Sequence, residues 1–212
     1  MNFSDWLFWN VDTQLDFVSP HGKLYVPGAE MLKQNWARLT KLAKNNSIKV
    51  VNTADWHYPN STELSSNPDF IHTFPPHCMA NTTGVGYIDE TNPEDSLIFD
   101  WDKKHQINNE SINKKGYRNF TIRKDAFDVF TGNPYTEEIL SMLSPEIVIV
   151  YGVTTNVCVN DAVVGLAKRV NKVIVIKDAI KELPNIPLPF ENWKIMGVGM
   201  MLLDDLESLF QN

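Results

Sequence analysis

The sequence predicts an α/β fold, a three-layer α/β/α sandwich around a central, mostly parallel sheet of about six strands. Short apolar runs rich in β-branched residues alternate with segments in which apolar residues recur at helical spacing. The order strand, helix, strand implies right-handed crossovers, which make neighbouring strands parallel. Polar residues follow several of the strands, and ligand sites of open parallel sheets lie beyond those carboxyl ends.

The first half of the chain contains two predicted strands and one helix. Residues 6–11 form an almost uninterrupted apolar run that ends at Asp12, which is typical of a buried strand. Residues 48–53 form a second strand, which leads into Ala54 and Asp55. A helix is predicted over residues 29–44, where four apolar side chains share one face: Leu32, Trp36, Leu39 and Ala43.

The second half supplies four more strands. Residues 97–101 and 120–122 are predicted as short strands, and a helix over 135–143 ends at Ser144-Pro145. The run 147–151 is too short for a helix and is predicted as a buried strand. After a short turn comes a helix with one apolar face, formed by Val159, Val163, Leu166 and Ala167. Residues 172–176 form the sixth strand, and the tail 191–210 is predicted to be mostly helical.

Composition narrows the class of protein. With 212 residues, 43% hydrophobic and 21% charged, the chain is predicted to form a single domain over residues 1–212. A net charge of −7 argues against nucleic-acid binding. Two cysteines make no disulfide framework and indicate a reducing compartment. The N-terminus lacks a basic segment, and no stretch approaches ~20 apolar residues, so we expect a cytoplasmic protein without membrane contact.

Two segments lack periodicity. Residues 56–95 are predicted to form a long loop, which in a compact domain is either functional or disordered. Its aromatic content argues against disorder, so a metal site is a candidate for holding it together. Residues 106–116 are polar and are predicted to form a surface excursion.

Four chemically capable residues are predicted at the strand ends: Asp12, Asp55, Lys124 and Cys158. Cys158 falls in or near the first turn of its helix, where the N-terminus lowers the pKa of a thiol and free N–H groups can receive an oxyanion. Thr154, Thr155 and Asn156 are each candidate N-caps of that helix. Asp12 could take the thiol proton and Lys124 could stabilise the thiolate. Viewed singly, Cys158 could equally be a small buried hydrophobe, Asp12 a turn residue and Lys124 a surface lysine.

A second group is typical of a metal site. Asp55 and His57 alternate along a strand end and so face the same side, and two prolines stiffen the backbone before His77. Two histidines with carboxylates suit Zn²⁺, Fe²⁺ or Mn²⁺. Glu63 is the favoured further ligand and Asp69 the second, and the alternative is unrelated loop histidines. The remaining histidines are interpreted as surface residues: His21, His72 and His105.

Together these segments resemble the isochorismatase-like cysteine hydrolases, in particular their nicotinamidase/pyrazinamidase branch. Five motifs in the family's order carry the resemblance: VDTQLDF at 11–17, ADWH at 54–57, FPPHC at 74–78, Arg-Lys at 123–124 before a Phe-rich loop, and YGVTTNVCV at 151–159. They span most of the chain. ADWH alone is weak, whereas the combination is highly specific.

The resemblance implies roles for individual residues. It makes Asp12, Lys124 and Cys158 a catalytic triad. It makes one divalent metal ion, zinc before iron or manganese, the cofactor of Asp55, His57 and His77, and Glu63 falls at the spacing of the family's variable fourth ligand. It further implies a cis peptide bond between Val153 and Thr154, oxyanion donors in the amides of Thr154 and Cys158, and substrate contacts from Phe17 and Phe74.

The chain also departs from the family pattern. After the PPHC motif the family often continues with a Gly-Thr turn, whereas this chain reads Met79-Ala80-Asn81-Thr82-Thr83-Gly84, and the polar segment 103–116 looks enlarged. Both can reshape the mouth of the pocket. Three functions are therefore carried forward: a metal-dependent nicotinamidase, a hydrolase of another small amide of the ureido or carbamoyl type, and a non-catalytic flavodoxin-like binding module. Many proteins of this fold associate, and six tryptophans leave room for an aromatic interface, so a homo-oligomer is expected.

Overall fold

A seven-stranded sheet forms the centre of the computed structural model, which describes residues 3–108, 112 and 116–211. The strand order is β3-β4-β2-β1-β5-β6-β7, and every pairing within this sheet is parallel. The strands are β1 (Trp6–Val11), β2 (Lys49–Asp55), β3 (Leu97–Phe99), β4 (Asn119–Lys124), β5 (Ile147–Val153), β6 (Lys172–Lys181) and β7 (Gly199–Met201). The α/β class with a central parallel sheet is confirmed.

Helices cover both faces of the sheet. They are α1 (Leu15–Val18), α2 (Lys33–Asn45), α3 (Val129–Gly132), α4 (Thr136–Leu143), α5 (Cys158–Ala167), α6 (Phe190–Ile195) and α7 (Leu203–Leu209), with 3₁₀ turns at Ala29–Leu32 and Thr83–Val85. Helices α2 and α7 contribute to the hydrophobic core on one face of the sheet, and α3 to α6 contribute to the core on the other face.

The central strands are apolar along their whole length because both of their faces are covered. In β1 the side chain of Phe8 enters one core, whereas Leu7 and Trp9 enter the other. Alternate residues of a strand point to opposite faces, so a strand between two helix layers needs apolar residues at every position. This explains the short uninterrupted apolar runs of the sequence.

The C-terminal tail is mostly helical, as predicted, but it also contains a strand that was not predicted. Residues 191–210 contain helix α6, strand β7 and helix α7, so the sheet has seven strands where about six were expected. Gly197 takes a φ of +77° and allows the chain to leave α6. The three residues of β7 are too few to show a period of two.

The unusual loop 56–95 is ordered by local contacts. Outside its 3₁₀ turn it contains isolated bridges from His57 to Met79 and from Leu64 to Phe74. The prediction that this loop is ordered agrees with these contacts. Among the described residues, no helix is long and apolar enough to cross a membrane.

The polar segment 103–116 is only partly described, and residues 109–111 and 113–115 lie outside the described residues. Where the chain is described, it is not simply a surface excursion. His105 is half-buried against Phe99 and accepts a hydrogen bond from the amide of Asp100 at 2.8 Å, and Ile112 is fully buried. The surface interpretation of His105 is therefore wrong, whereas His21 and His72 are exposed as predicted.

Candidate active site

Four side chains from neighbouring strands meet at one edge of the sheet. Asp12 follows β1, Asp55 ends β2, Lys124 ends β4, and Cys158 begins α5 after β5. These four strands are adjacent in the order β4-β2-β1-β5. The four residues are buried, with exposed fractions of 0%, 1%, 1% and 5% in that order. Their predicted convergence is therefore present in the structure.

Lys124 connects the members of this group. Its Nζ lies 3.1 Å from Oδ2 of Asp12 and 3.7 Å from Sγ of Cys158. It also donates a short hydrogen bond to Oδ1 of Asp55 and another to the carbonyl oxygen of Ala126 at 3.1 Å. Burial lowers the pKa of a lysine, but Asp12 and Asp55 outweigh burial here and raise the pKa of Lys124 well above its usual value. The ammonium form is therefore the resting state.

Asp12 is held by Thr53, whose hydroxyl donates a hydrogen bond of 2.6 Å to Oδ1. Burial raises the pKa of Asp12, and Lys124 opposes that rise without cancelling it. Ligand atoms of Asp12, Asp55 and Cys158 all lie within 4.8 Å of one another. A carboxylate with a raised pKa beside a thiol has the geometry and basicity of a proton acceptor.

The thiol of Cys158 differs from its predicted state. Burial raises its pKa well above the ordinary value, Lys124 opposes the rise, and Asp55 and Asp12 add to it. The prediction of a lowered thiol pKa is wrong for the resting protein, because burial and two carboxylates outweigh the ammonium group. The resting sulfur therefore carries its proton.

The start of helix α5 also differs in detail. Its N-cap residue is Val157, which provides no side-chain cap, so the predicted capping by Thr154, Thr155 or Asn156 is wrong. Asn156 instead donates hydrogen bonds to the carbonyl oxygens of Leu183 and Ile186 at 2.8 and 2.9 Å. The polar side chain is used to connect this turn to the segment after β6.

Three backbone N–H groups at the turn have no acceptor among the described residues, those of Thr154, Asn156 and Cys158. The peptide bond between Val153 and Thr154 is cis, as the family resemblance implies. The amides of Thr155 and Val159 are used differently, since Thr155 donates to the carbonyl of Lys181 and Val159 to that of Thr154. The donors of Thr154 and Cys158 lie at the two ends of the turn that leads from β5 into α5.

A cluster of metal-binding side chains lies next to Asp55. Its Oδ2 is 3.7 Å from Nε2 of His57 and 3.6 Å from Nε2 of His77, and Oε2 of Glu63 is 4.0 Å from Nε2 of His57. All four residues are buried. Nε2 of His57 and Oε2 of Glu63 have no hydrogen-bond partner among the described residues. Buried polar atoms without partners are rare, and a divalent cation between them would satisfy both, so this set of residues fits a metal ion.

Outer contacts orient the two imidazoles. Nδ1 of His57 donates a hydrogen bond of 2.7 Å to Oδ1 of Asp125, and Nδ1 of His77 donates one of 2.7 Å to the carbonyl of Pro75. The hydroxyl of Ser61 also donates to Oδ1 of Asp125. With Nδ1 occupied, each ring presents Nε2 to the cluster, which is the usual arrangement behind a metal-binding histidine.

The charges of the cluster reflect its burial. Burial opposes ionisation of Asp55, but Lys124 and the two histidines prevail and hold its pKa well below its usual range. Burial and the charge of Asp55 raise the pKa of Glu63 to about 7. Burial lowers the pKa of His57, but Asp125 and Asp55 outweigh it and raise that pKa to about 9.

Asp69 lies outside the cluster. Its Oδ1 accepts hydrogen bonds from the amides of Ile71, His72 and Thr73 at 2.9, 2.8 and 2.9 Å. Its side chain is 49% exposed. The interpretation of Asp69 as a second candidate ligand is wrong, because its carboxylate organises its own turn.

A narrow pocket, here called the inner pocket, lies beside Cys158. The rings of Phe17 and Phe74 have their centroids 5.3 and 6.4 Å from that of His77. Free space in this conformation is about 10 Å³, which is room for about one water molecule. A substrate must therefore displace side chains at the mouth. The inner pocket is lined by Phe17, Leu24, Asp55, Phe74, His77, Phe127, Thr154, Val157, Cys158 and Leu183.

The family model of the isochorismatase domain matches residues 7–185, which include Asp12, Lys124, Cys158 and the cluster around Asp55. The chain belongs to the isochorismatase family. No curated protein matches the chain significantly in sequence. The family assignment therefore stands on the domain match.

Solved structures of isochorismatase-like proteins share this fold. N-carbamoylsarcosine amidase from Thermoplasma acidophilum has a TM-score of 0.71 at 20% identity, over 94% of this chain and 97% of its own. Pyrazinamidase of Pyrococcus horikoshii, in complex with zinc, has a TM-score of 0.71 at 23% identity, over 93% and 99%. PnC1 from L. infantum, in complex with nicotinate, has a TM-score of 0.68 at 20% identity, over 94% and 93%.

Several supporting residues of this isochorismatase domain were missed by sequence reasoning. Gln14 accepts a hydrogen bond from the amide of Asp55 at 2.8 Å and donates to its carbonyl at 2.9 Å. The side chain of Asp16 accepts a hydrogen bond from the backbone amide of Cys78 at 2.7 Å. This contact connects the loop 56–95, which carries His57 and His77, to helix α1. Both residues lie in the VDTQLDF motif, where the prediction used only Asp12 and Phe17. Asp125 could also have been found from the sequence, because it directly follows Lys124 at the end of a predicted strand.

Proposed function

We propose that this protein is a metal-dependent cysteine amidohydrolase and that nicotinamide is its substrate, converted with water to nicotinate and ammonia. The contact of Lys124 with Asp12, Asp55 and Cys158 carries the proposal. It joins a nucleophile, a base and the metal cluster through one ammonium group. A packed structural cysteine needs no such partners, which counts against the flavodoxin-like binding module.

In the first half of the reaction Cys158 forms a thioester. Asp12 takes the thiol proton, and the sulfur attacks the carboxamide carbon. The amides of Thr154 and Cys158 receive the developing oxyanion, an effect of about 3 kcal/mol per donor in comparable sites. Lys124 balances negative charge on Asp12 and on the sulfur. The carbon–nitrogen bond then breaks, and Asp12 returns the proton to the departing ammonia.

In the second half water releases the acid. Asp12 accepts a proton from a water molecule, which attacks the thioester carbon. The same two amides stabilise the second tetrahedral intermediate. The carbon–sulfur bond breaks, the carboxylic acid leaves, and the proton on Asp12 returns to the sulfur of Cys158. One amide and one water give one acid and one ammonia, and the side chains regain their starting state.

Asp55, His57, His77 and Glu63 are the residues that would hold the metal ion. When bound, the ion offers a Lewis-acid position for the ring nitrogen of the substrate, directly or through water. Zinc is our first choice among the divalent ions that suit two imidazoles with carboxylates, before iron and manganese. The zinc complex of the pyrazinamidase from Pyrococcus horikoshii supports this choice.

The aromatic walls support a planar substrate. Phe17 and Phe74 flank the inner pocket next to His77, and aromatic rings stack or meet edge to face at such separations. The nicotinate complex of PnC1 from L. infantum supports a pyridine ring as well. Leu24, Val157 and Phe127 are only partly buried, so they are the walls that give way when a ring enters.

A small ureido or carbamoyl amide is the second candidate. The likeness of the fold to N-carbamoylsarcosine amidase favours it. Hydrolysis of such an amide needs the same nucleophile and proton acceptor. The substrate, however, has no pyridine nitrogen that could bind at the metal cluster. Activity toward such an amide that survives chelation would favour this substrate class.

Ammonia release decides between these candidates. Protein loaded with zinc, iron or manganese is assayed with nicotinamide and with N-carbamoyl amides. We expect nicotinamide turnover that stops in Cys158→Ala and continues in Cys78→Ala, which removes the other thiol. Full activity of Cys158→Ala would rule out the thioester route, and no turnover of any amide by the loaded wild type would refute amide hydrolysis itself.

A further inference from the structure

A second, larger space adjoins the inner pocket. This outer cleft has a volume of about 520 Å³, against the 10 Å³ free beside Cys158. The two spaces share three walls, namely Leu24, Phe74 and Leu183. The outer cleft is lined by Leu24, Tyr25, Pro27, Asp69, Phe70, Ile71, Phe74, Leu183, Pro184, Asn185 and Ile186.

The lining of the outer cleft is mostly apolar and contains one carboxylate. Two of its lining residues are exposed hydrophobic side chains, Phe70 at 53% and Ile71 at 65%. Asp69 is the only carboxylate among the described residues of the lining, and its Oδ1 and Oδ2 are engaged by backbone amides and by Nδ1 of His72. In the part of the chain that the structure describes, no lysine or arginine lines the cleft. Such a surface favours a neutral hydrocarbon group over a charged one.

One wall of the outer cleft is formed by the turn 69–73, which is held by its own hydrogen bonds. The turn 69–73 is closed by hydrogen bonds to Asp69 and by the amide of Phe70, which donates to the carbonyl of Thr73 at 3.0 Å. Phe70 has a φ of +58°, a left-handed conformation that a bulky residue rarely takes. The turn therefore leaves Phe70 and Ile71 largely exposed, with the ring of Phe70 meeting that of Phe74 edge to face at a centroid distance of 6.2 Å.

The opposite wall is fixed to the catalytic turn. Asn156, two residues before Cys158, donates to the carbonyls of Leu183 and Ile186 and accepts the amide of Leu183 at 3.1 Å. Both ends of the 183–186 turn are thereby held relative to the sulfur. A ligand in the outer cleft is thus positioned relative to Cys158 by the protein itself.

We infer that the outer cleft binds the far, apolar end of the acyl group of an amide substrate, so that the enzyme also accepts primary amides with unbranched alkyl chains. This inference rests on the proposed amide hydrolysis. The reacting carboxamide lies at Cys158, and the chain passes between Leu24 and Leu183 into the cleft. A slender chain needs less displacement of these side chains than a bulky group does.

A series of straight-chain primary amides from acetamide to octanamide tests the inference. Burial of each methylene is worth about a fourfold gain in binding. We expect kcat/KM of the metal-loaded wild type to rise by about fourfold per methylene once the chain reaches the cleft. A flat dependence on chain length would overturn the inference.

A double variant, Phe70→Ser with Ile71→Ser, removes the exposed apolar wall. We expect it to lower kcat/KM for octanamide by about tenfold and to leave acetamide unchanged. Ile195→Ser is the matched control, because Ile195 is 84% exposed elsewhere on the surface. An equal effect of the control, or an unchanged octanamide to acetamide ratio in the double variant, would contradict the inference.

Failure of the inference can be separated from failure of the proposed function. Hydrolysis of nicotinamide or acetamide without a chain-length preference contradicts the outer cleft alone. If no amide is hydrolysed, the proposed function fails, and calorimetric binding of octanamide to wild type and double variant then decides whether the cleft binds apolar chains. A double variant that changes only the oligomeric mass in light scattering assigns this face to subunit contact and overturns the inference.

Discussion

Nδ1 of His57 donates a hydrogen bond of 2.7 Å to Oδ1 of Asp125. This contact fixes the orientation of the ring and leaves Nε2 facing Asp55 at 3.7 Å. Asp125 directly follows Lys124 at the end of β4. Two neighbouring residues at the end of β4 therefore contact different parts of the site. Lys124 contacts the sulfur of Cys158, and Asp125 contacts His57 of the metal cluster.

Asp125→Asn is expected to weaken zinc binding by about 10- to 100-fold, because an amide orients the imidazole and raises its basicity less than a carboxylate does. Competition with a chromophoric chelator measures the affinity without any turnover. Asp102→Asn is the control, since Asp102 is exposed and, among the described residues, accepts a hydrogen bond from the hydroxyl of Tyr58 alone. Equal zinc affinity in Asp125→Asn and wild type would show that Asp125 does not support the ligand.

Metal affinity is expected to rise with pH between about 6 and 9. The pKa of Glu63 is about 7 and that of His57 about 9 in the metal-free protein, and both groups must lose their protons to bind a cation. Below these values protons compete with the metal, so binding releases protons. Zinc titrations at pH 6, 7 and 8 with proton-release measurements check the sign, and Glu63→Gln should flatten the dependence near pH 7. Affinity that is constant over this range would contradict the assignment.

Lys124→Met is expected to abolish amide turnover and to lower the free energy of unfolding by about 3–5 kcal/mol. Removal of one partner from a buried ion pair leaves uncompensated charge, here on Asp12 and Asp55. Urea denaturation measures the loss. Combination with Asp12→Asn removes one of the stranded carboxylates and should restore part of the stability, although not the activity. A double variant no more stable than Lys124→Met would contradict this account.

Gly152→Ala is expected to cost at least about 3 kcal/mol of stability through backbone strain and overpacking. Gly152 has a φ of +121°, and a Cβ there would lie 2.0 Å from the carbonyl oxygen of Val11. Gly197 provides a matched comparison, since its φ is also positive at +77° but no described residue other than its chain neighbours lies within 4 Å of its Cβ position. Gly197→Ala should cost about 1 kcal/mol. Similar losses in both variants, measured by thermal unfolding, would show that close packing on β1 is not the cause.

The sequence allowed the central part of the fold to be predicted because the signals there are local. Strand β1 was predicted with its observed bounds, since its apolar run is bounded by polar residues. Strand β7 was missed because three residues carry no period and its pairing with β6 is a tertiary contact. The N-cap of α5 was missed for the same reason, since Asn156 bonds to a segment 27 residues away.

The candidate site was predictable where residue type and strand-end position coincide, as at Asp12, Asp55, Lys124 and Cys158. The protonation state of the Cys158 thiol could not be predicted, because the start of a helix lowers the pKa of a thiol whereas burial raises it. Only the structure gives the degree of burial. Sequence spacing alone could not decide firmly whether Glu63 or Asp69 is the further candidate metal ligand. The difference between them lies in which carboxylate is taken up by its own turn.

The expected homo-oligomer stays a prediction, but its aromatic rationale weakens. Trp6, Trp9, Trp36 and Trp193 are buried in the two cores. Trp56 is half-buried and stacks against the guanidinium group of Arg123, whose Cζ lies 3.5 Å from the ring centroid. Tryptophans engaged in this way are not available for a subunit interface.

The two oxygens of Asp55 face different neighbours: Oδ1 meets the lysine ammonium, and Oδ2 meets both imidazoles. In the proposed enzyme, this single carboxylate would couple the charge of a bound cation to the reactivity of the Cys158 sulfur. Chelation should change how fast an alkylating reagent labels Cys158, even when no substrate is present. If such a hydrolase lost its metal ion during evolution, the reactivity of its cysteine would have to be readjusted, because the Asp55 side chain contacts both Lys124 and the two histidines.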